Sequence, residues 1–342
     1  MKWIVLDLEW NQSSSGKEPE VARIPFEIIE IGAIQIGENG QMTGEFSELV
    51  KPQVYRKMHS YTSKLIHLQM QELEKGHVFP EVWERFQNWI GTGEDYMFCT
   101  WGPSDLTELQ RNLAFYDLPP IRKGPIPFLD AQKLYTLCYE EDRKARRNLE
   151  HAVDALGIEK DIPFHRAFSD AYYTAKVMLR MKKDRPAVYS KISYDVTIPP
   201  ATEADEVEVV FDNYGKYISR VFESREAALS DRHVLSTKCF LCGQSTRRKV
   251  KWFSTNGKHY YSVSECPSHG LLKGKIRIHW TEEGGVFVVK TQRLVTKAEA
   301  EEILTKRNKA ERKLKEQQKQ REKQLGIRRN RGASGKNEEV DG

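Results

Sequence analysis

Long apolar runs are missing from this 342-residue chain. No stretch approaches the roughly 20 apolar residues that a membrane-spanning helix needs. The opening run Trp3–Leu6 is too short for the core of a secretory leader, and acids follow it at once. Cysteine is scarce and odd in number: Cys99 and Cys138 stand alone, and the other three cluster late. That pattern argues against a disulfide framework and for a metal. Together these shortages predict an intracellular, cytoplasmic protein with no membrane contact. Acid is also short in one region. Residues 1–183 and 184–230 each carry a net charge of about −4, whereas 231–296 carries about +8 and 297–342 about +5. The basic surplus lies wholly in the last third, where a polyanionic partner is expected.

Residues 1–183 alternate between the two element types. "KWIVLDLEW", "FEIIEIGAIQIG" and "GEFSELVKP" read as three strands of an antiparallel set, the last ended by Pro52. "FPEVWERFQNWIG" repeats its apolar residues at helical spacing and stops at Gly91. "DYMFCTW" predicts a strand, "PSDLTELQRNLAFY" a helix with Pro103 in its first turn, and "IPFLDAQKLYTLCY" a strand leading into a helix. "NLEHAVDALGI" and "FSDAYYTAKVMLRMKK" predict two more helices. The expectation is a mixed sheet with helices packed on it. Residues 184–230, with a Pro-Pro break and an acidic run, read as a linker that closes with a strand and a helix. Residues 231–295 predict a small β-rich domain, 296–325 a charged helix opened by a Thr296/Glu299 capping box, and 326–342 a disordered tail. The helix has an apolar face too thin to bury much, so it is expected to be solvated or to dock only on binding.

The first strand ends in two acids, Asp7 and Glu9, spaced to share one face. Two carboxylates that close repel each other. Either a cation sits between them or the strand runs out into solvent. Asp105 follows a strand in the first turn of a helix, and His165 and Asp170 flank the start of the last helix of this region. Alone, Asp105 and Asp170 would read as acids answering a helix dipole, and His165 as a surface histidine. Converging at one sheet edge, the four acids would suit two hard divalent cations, and the histidine would suit the base for an attacking water. Glu27 is placed away from the core and Glu30 close to it, neither of them in the site, and His151 on a helix surface.

Asp7-x-Glu9, Asp105, and His165 with four residues between it and Asp170 match in order the three motifs of the DEDDh 3′→5′ exonucleases, the DnaQ-like branch of the RNase H fold. "IIEIGAIQI" resembles that family's second strand, and "NLEHAVDALGI" with "HRAFSDAYYTA" resembles its last motif. The resemblance covers residues 1–183, and "DLEWNQ" with "TWGPSDL" is more similar to the exoribonuclease side (Eri-type and sporulation-inhibitor-type proteins) than to proofreading subunits. It implies an RNase H-like α/β fold. Asp7, Glu9, Asp105 and Asp170 would bind two Mg²⁺ or Mn²⁺ ions and His165 would act as base. The product would be nucleoside 5′-monophosphate released from a 3′ end. Where the family usually has a small or threonine-like residue after the first Glu, this chain has Trp10, either stacked near the terminal base or simply packed.

A second constellation pairs Cys239 with Cys242 and Cys266 with His269, each with two residues between. Paired knuckles of this spacing suit one tetrahedral, structural Zn²⁺ and resemble a zinc ribbon; a redox dithiol is the alternative. His259 is a rival ligand without a partner at knuckle spacing. Between the pairs a hairpin turning at Asn256-Gly257 is expected. Its Arg247, Arg248, Lys249, Lys251 and Lys258, interleaved with Trp252, Phe253, Tyr260 and Tyr261, and Lys273, Lys275 and Arg277 after the last ligand, suit single-stranded nucleic acid, RNA before DNA; a solvated hairpin, or docking to a protein or ribosome, is the alternative. The expected activity is therefore a metal-dependent 3′→5′ exonuclease, probed against two rivals: a DNA exonuclease of repair or proofreading, and a binding adaptor without catalysis.

Overall fold

The computed structural model describes residues 1–13, 20–66, 68–91, 95–142, 145–211, 214–281 and 283–324. The tail read as disordered, 326–342, lies outside the described residues. The chain divides into two units, Met1–Ala201 and Thr202–Gly342.

The first unit is built on a six-stranded sheet: β1 (Lys2–Gln12), β2 (Phe26–Ile36), β3 (Met42–Leu49), β4 (Tyr96–Thr100), β5 (Ile126–Asp130) and β6 (Ser193–Asp195), in the order β3-β2-β1-β4-β5-β6. β3-β2-β1 is antiparallel, β1-β4-β5 is parallel, and β6 closes the edge antiparallel. This is the mixed sheet of an RNase H-like α/β fold, as expected. Around it run α1 (Ser60–Ile66), α2 (Met70–Leu73), α3 (Phe79–Ile90), α4 (Ser104–Phe115), α5 (Ala131–Tyr139), α6 (Leu149–Ala155) and α7 (Ala167–Asp184). β1 is covered on both faces, which is why its apolar run is nearly continuous. Ile4, Leu6 and Leu8 pack with Val82 and Phe86 of α3 and Leu106 and Leu109 of α4. Val5 packs on the other side with Leu134 of α5 and Ala171 and Met178 of α7. Each such Val, Leu, Ile, Phe or Met side chain, fully buried, contributes about 1.5–3 kcal/mol.

Local sequence starts some of these helices. Asp130 caps α5 at the Lys133 N–H and Asn148 caps α6 at the His151 N–H. Pro103 sits at the N-cap of α4, one residue before its expected place. Glu27, expected to point away from the core, is buried instead. Its carboxylate accepts the N–H groups of Gln53, Val54 and Tyr55 at 2.6–2.9 Å, so the loop after β3 folds over this end of β2. His151 is on a helix surface.

The second unit holds another six-stranded sheet, wholly antiparallel: β7 (Val207–Val210), β8 (Tyr214–Ile218), β9 (Arg247–Ser254), β10 (His259–Cys266), β11 (Gly270–Trp280) and β12 (Val286–Leu294), in the order β7-β8-β12-β11-β10-β9. Short helices α8 (Arg225–Ala228) and α9 (Arg232–Leu235) pack on one face, and α10 (Lys297–Gln324) follows. Two expectations change. The stretch 184–230 is no linker: β6 completes the first sheet, and β7 and β8 belong to the second. Their ladder hydrogen bonds, invisible to a composition reading, decide the matter. The first turns of α10 also dock, because Ala300 and Ile303 are spaced to meet Val250, Val263 and Leu271. Beyond them the helix is mostly exposed. Among the described residues no helix is long and apolar enough to cross a membrane.

Candidate active site

Asp7 and Glu9 lie on the β1 face covered by α7. Directly across on β2 stand Gly32 and Glu30. A Cβ built on Gly32 would lie 2.1 Å from the Ala167 carbonyl carbon and the Phe168 nitrogen. The glycine therefore lets the first turn of α7 rest on the sheet beside Asp7, and that turn carries Asp170. Potential ligand oxygens of Asp7, Glu9 and Asp170 come within 4.8 Å of one another. One extra residue on β2, between the Glu9–Glu30 and Trp10–Ile28 pairs, bulges the ladder right beside this cluster.

Asp105 reaches the same end of the sheet from α4, on the opposite layer. It is buried and accepts the Leu8 N–H at 3.2 Å. It lies outside the three-carboxylate set, yet its charge acts on Asp7. His165 precedes α7, exposed, with a left-handed backbone at φ 66°. Its N–H donates to Asp170 Oδ1 at 3.2 Å. Asp117 is the other non-glycine residue with positive φ among those described. Histidine tolerates this region better than β-branched residues, and held strain of this kind gathers at functional sites.

The acids crowd one another. Burial, then the charges of Asp105, Asp170, Glu9 and Glu30, hold the Asp7 carboxyl well above the usual carboxylate range. Burial and the charges of Asp170, Glu30 and Asp105 push Glu9 up to about 8. Burial raises Asp105 to about 7 against the pull of backbone N–H groups, and raises Asp170 to about 6 against the His165 N–H and ring. Such a set is costly when ionised without a cation, and its donors are the hard oxygens that Mg²⁺ and Mn²⁺ prefer.

Two residues that the pattern left out of the site turn out to border it. Glu30 is buried and accepts Nε and Nη2 of Arg166, one edge of the guanidinium, at 2.8–3.1 Å, and the Ala167 N–H at 3.4 Å. α7 has no side-chain cap of its own, so this acid on the sheet holds its start. An acid inside the buried run "FEIIEIGAIQI" was the available signal, since buried charge demands a partner; the glycine in that run was the other. Trp10 is half-buried, tilted against Phe26 at 5.8 Å and packed on the core, with its carbonyl near Thr62.

In the second unit Cys239, Cys242, Cys266 and His269 converge within 4.8 Å. The contacts Cys239 Sγ–His269 Nδ1 at 3.6 Å, Cys266 Sγ–His269 Nδ1 at 3.6 Å and Cys242 Sγ–Cys266 Sγ at 3.7 Å match the edges of a tetrahedron. With Zn–S of about 2.3 Å and Zn–N of about 2.0–2.1 Å those edges would be roughly 3.5–3.8 Å. Burial pushes the Cys266 thiol up, but His269 and the N–H groups of Ser268 and His269 outweigh it and bring it down to about 6. His259 is not part of this cluster; it sits by the Asn256 turn of the β9–β10 hairpin. Arg247, Arg248, Lys249 and Lys251 are exposed, with Lys249 paired to Glu265 at 2.7 Å. Trp252 is a correction. Its indole N–H donates to the Leu235 carbonyl and its half-buried ring packs over Gly274 on the face that α8 and α9 cover, away from the exposed β9 cations.

The first unit is similar to known proteins. Residues 4–178 match the RNase T family, described as Exonuclease. ERI1 exoribonuclease 2 of Xenopus laevis is 26% identical over 238 residues, which cover 60% of this chain and 34% of that protein. The chain thus spans about a third of the relative's length. Among solved structures, the nuclease domain of 3′hExo, a DEDDh family member bound to rAMP, is 22% identical, covering 54% of this chain and 92% of that one with a TM-score of 0.47. Cell-death related nuclease 4 is 18% identical, covering 53% and 64% with a TM-score of 0.45. Since the family match spans the whole first sheet up to β5 and all three acidic motifs, the chain belongs to the exonuclease family.

Proposed function

We propose that the first unit hydrolyses phosphodiester bonds from the 3′ end of single-stranded RNA and releases nucleoside 5′-monophosphates. The observation that carries this is the meeting of Asp7, Glu9 and Asp170 at the end of β1, with Asp105 bearing on them from α4. Asp7, Glu9, Asp105 and Asp170 would hold two Mg²⁺ or Mn²⁺ ions, which when bound supply positive charge to the reacting phosphate and to water. Asp7 lies at the centre of the repulsion, since all the other acids act on it. His165, at the exposed rim and tied to Asp170, would take the proton from the attacking water. Arg166 neutralises Glu30, so that this fifth acid does not compete for cations. The packing of Trp10 favours a structural part for that ring. RNA is favoured over DNA by the exoribonuclease named among the relatives.

Cys239, Cys242, Cys266 and His269 would hold one structural Zn²⁺, because all four tetrahedral positions are filled by protein. Cys99 and Cys138, both buried thiols, are in keeping with a reducing compartment such as the cytoplasm.

The test is a 5′-labelled single-stranded RNA and its DNA twin, each incubated with the protein and Mg²⁺ or Mn²⁺. A ladder shortening from the 3′ end of RNA alone is expected. Equal ladders on DNA would replace the substrate, and binding without any ladder would favour an adaptor.

A further inference from the structure

The face of the second sheet on which the first turns of α10 dock brings together cations that the sequence scatters. Directly paired residues of antiparallel strands share a face. Three cross-strand rows therefore lie side by side: His259, Arg277 and Val289; Tyr261, Lys275 and Thr291; Val263, Lys273 and Arg293. The neighbouring positions Leu272, Ile276 and Ile278 are buried on the other face. Beside the docked turns of α10, Lys273 and Lys275 are half-buried and Arg277 is exposed. Alternate residues of a strand stand about 6.8 Å apart, so β11 offers three cations in line at a spacing on the scale of one nucleotide of an extended strand.

Neighbouring elements add to the line. Lys306 of α10 lies 4.2 Å from the Tyr261 ring centre and Lys273 lies 5.8 Å from it, which fixes the ring and draws both cations into one patch. Two acids on the neighbouring elements are already taken: Glu265 by Lys249 at 2.7 Å and Glu299 by Arg293 at 2.6 Å. Lys258, Lys273, Lys275, Arg277 and Lys306 form no ion pair among the described residues. Their crowding is felt by a neighbour, for the His259 imidazole is lowered by burial and then by Lys275, Arg277, Lys258 and Lys306. Like charges gathered without counter-charge are unfavourable in the free protein and become favourable against a polyanion.

We infer that this face, with Lys273, Lys275 and Arg277 along β11 as its spine and Lys258 and Lys306 at its sides, binds the single-stranded RNA that the first unit degrades. The inference rests on the functional reading above for its choice of strand. Among the cations that the sequence offered, it selects the β11 set Lys273, Lys275 and Arg277, with Lys258 at its side, over the β9 run, because the β11 set shares one face while Trp252 packs on the other. The phosphate backbone supplies the recognition, with no reading of base sequence.

Binding is tested with the full chain carrying Asp7→Asn, so that the strand survives the measurement. The probe is a 5′-fluorescein 20-nucleotide RNA read by anisotropy. Adding Lys273→Ala, Lys275→Ala and Arg277→Ala is expected to raise Kd by about tenfold or more. It should also flatten the dependence of log K on log salt by about 2, since each lost phosphate contact removes roughly 0.7 for a single strand. Arg277→Lys, which keeps the charge, should retain most of the affinity. An unchanged Kd and salt slope in the triple variant, with its melting temperature preserved, overturns the inference. So does an effect seen with duplex RNA but absent with the single strand. Failure of the nuclease reading shows separately, as wild-type protein that leaves the RNA intact.

Discussion

Asp7 is the residue on which the cluster's electrostatics converge, and its substitution separates catalysis from stability. Asp7→Asn removes one charge from a crowded set. Hydrolysis should fall by on the order of 10³ or more, as expected for loss of a central charge at a reacting phosphate. The metal-free protein should at the same time melt higher, by about 2–4 °C for each kcal/mol of repulsion relieved. A lower melting temperature would show that the carboxylate holds the fold rather than a cation. His165 offers a complementary case. His165→Ala should reduce turnover by about 10²–10⁴. His165→Gly should cost as much activity while relieving the left-handed backbone, so its thermal stability should be no lower than that of the alanine variant. Rates near wild type for both would remove the histidine from the reaction.

At the scale of elements, the site depends on how close α7 comes to β2. Gly32 sets that distance, because any side chain there would collide with the backbone of Ala167 and Phe168. Backbone cannot swing aside as a flexible side chain does. Gly32→Ala should therefore push the start of α7 off the sheet, carrying Asp170 away from Asp7. A cost of about 1–3 kcal/mol is typical of overpacking, and Mn²⁺ affinity measured by calorimetry should drop with it. Unchanged metal affinity would mean that α7 does not position a ligand. In the second unit the four-ligand cluster ties the loop before β9 to the end of β10. Stripping zinc with a strong chelator should lower the melting temperature of this unit and expose the thiols to Ellman's reagent; re-addition of Zn²⁺ should reverse both. Thiols that react at the same rate before and after chelation would argue for the dithiol alternative.

For the molecule as a whole, the acid cluster couples stability to pH and to cations. Unfolded Asp and Glu titrate near 4. In the folded, metal-free protein Asp170 titrates at about 6, Asp105 at about 7 and Glu9 at about 8. Between about pH 4 and 8 the folded state thus binds more protons than the unfolded one, so stability falls as pH rises through that window. A melting temperature recorded without divalent ions should decline from pH 5 to 8, and Mg²⁺ or Mn²⁺ should restore most of the loss at pH 8. A flat profile would mean that the carboxylates are further apart in solution than in the structure.

Much of this was legible in the chain. Strand periodicity, helix spacing and the order of the acidic motifs announced the mixed sheet and the exonuclease family, because those signals are local and each motif sits beside the element that positions it. Cysteine spacing likewise announced the tetrahedral cluster, since a knuckle is built within four residues. Other features depend on partners distant in sequence. Glu30 became the anchor of α7 only when Arg166, far along the chain, was brought against it. Glu27 was drawn inward by a loop whose N–H groups needed an acceptor. β6 and β7 looked like linker because an edge strand is defined by its neighbour's hydrogen bonds more than by its own composition. The register of β10, β11 and β12 decided which cations share a face and turned Trp252 to the covered side, since a shift of one residue would exchange the two faces. The amino-acid sequence by itself determined the elements and the chemistry carried within them; the tertiary structure alone decided which charges meet, because pairing across a sheet is set by packing and ladder register.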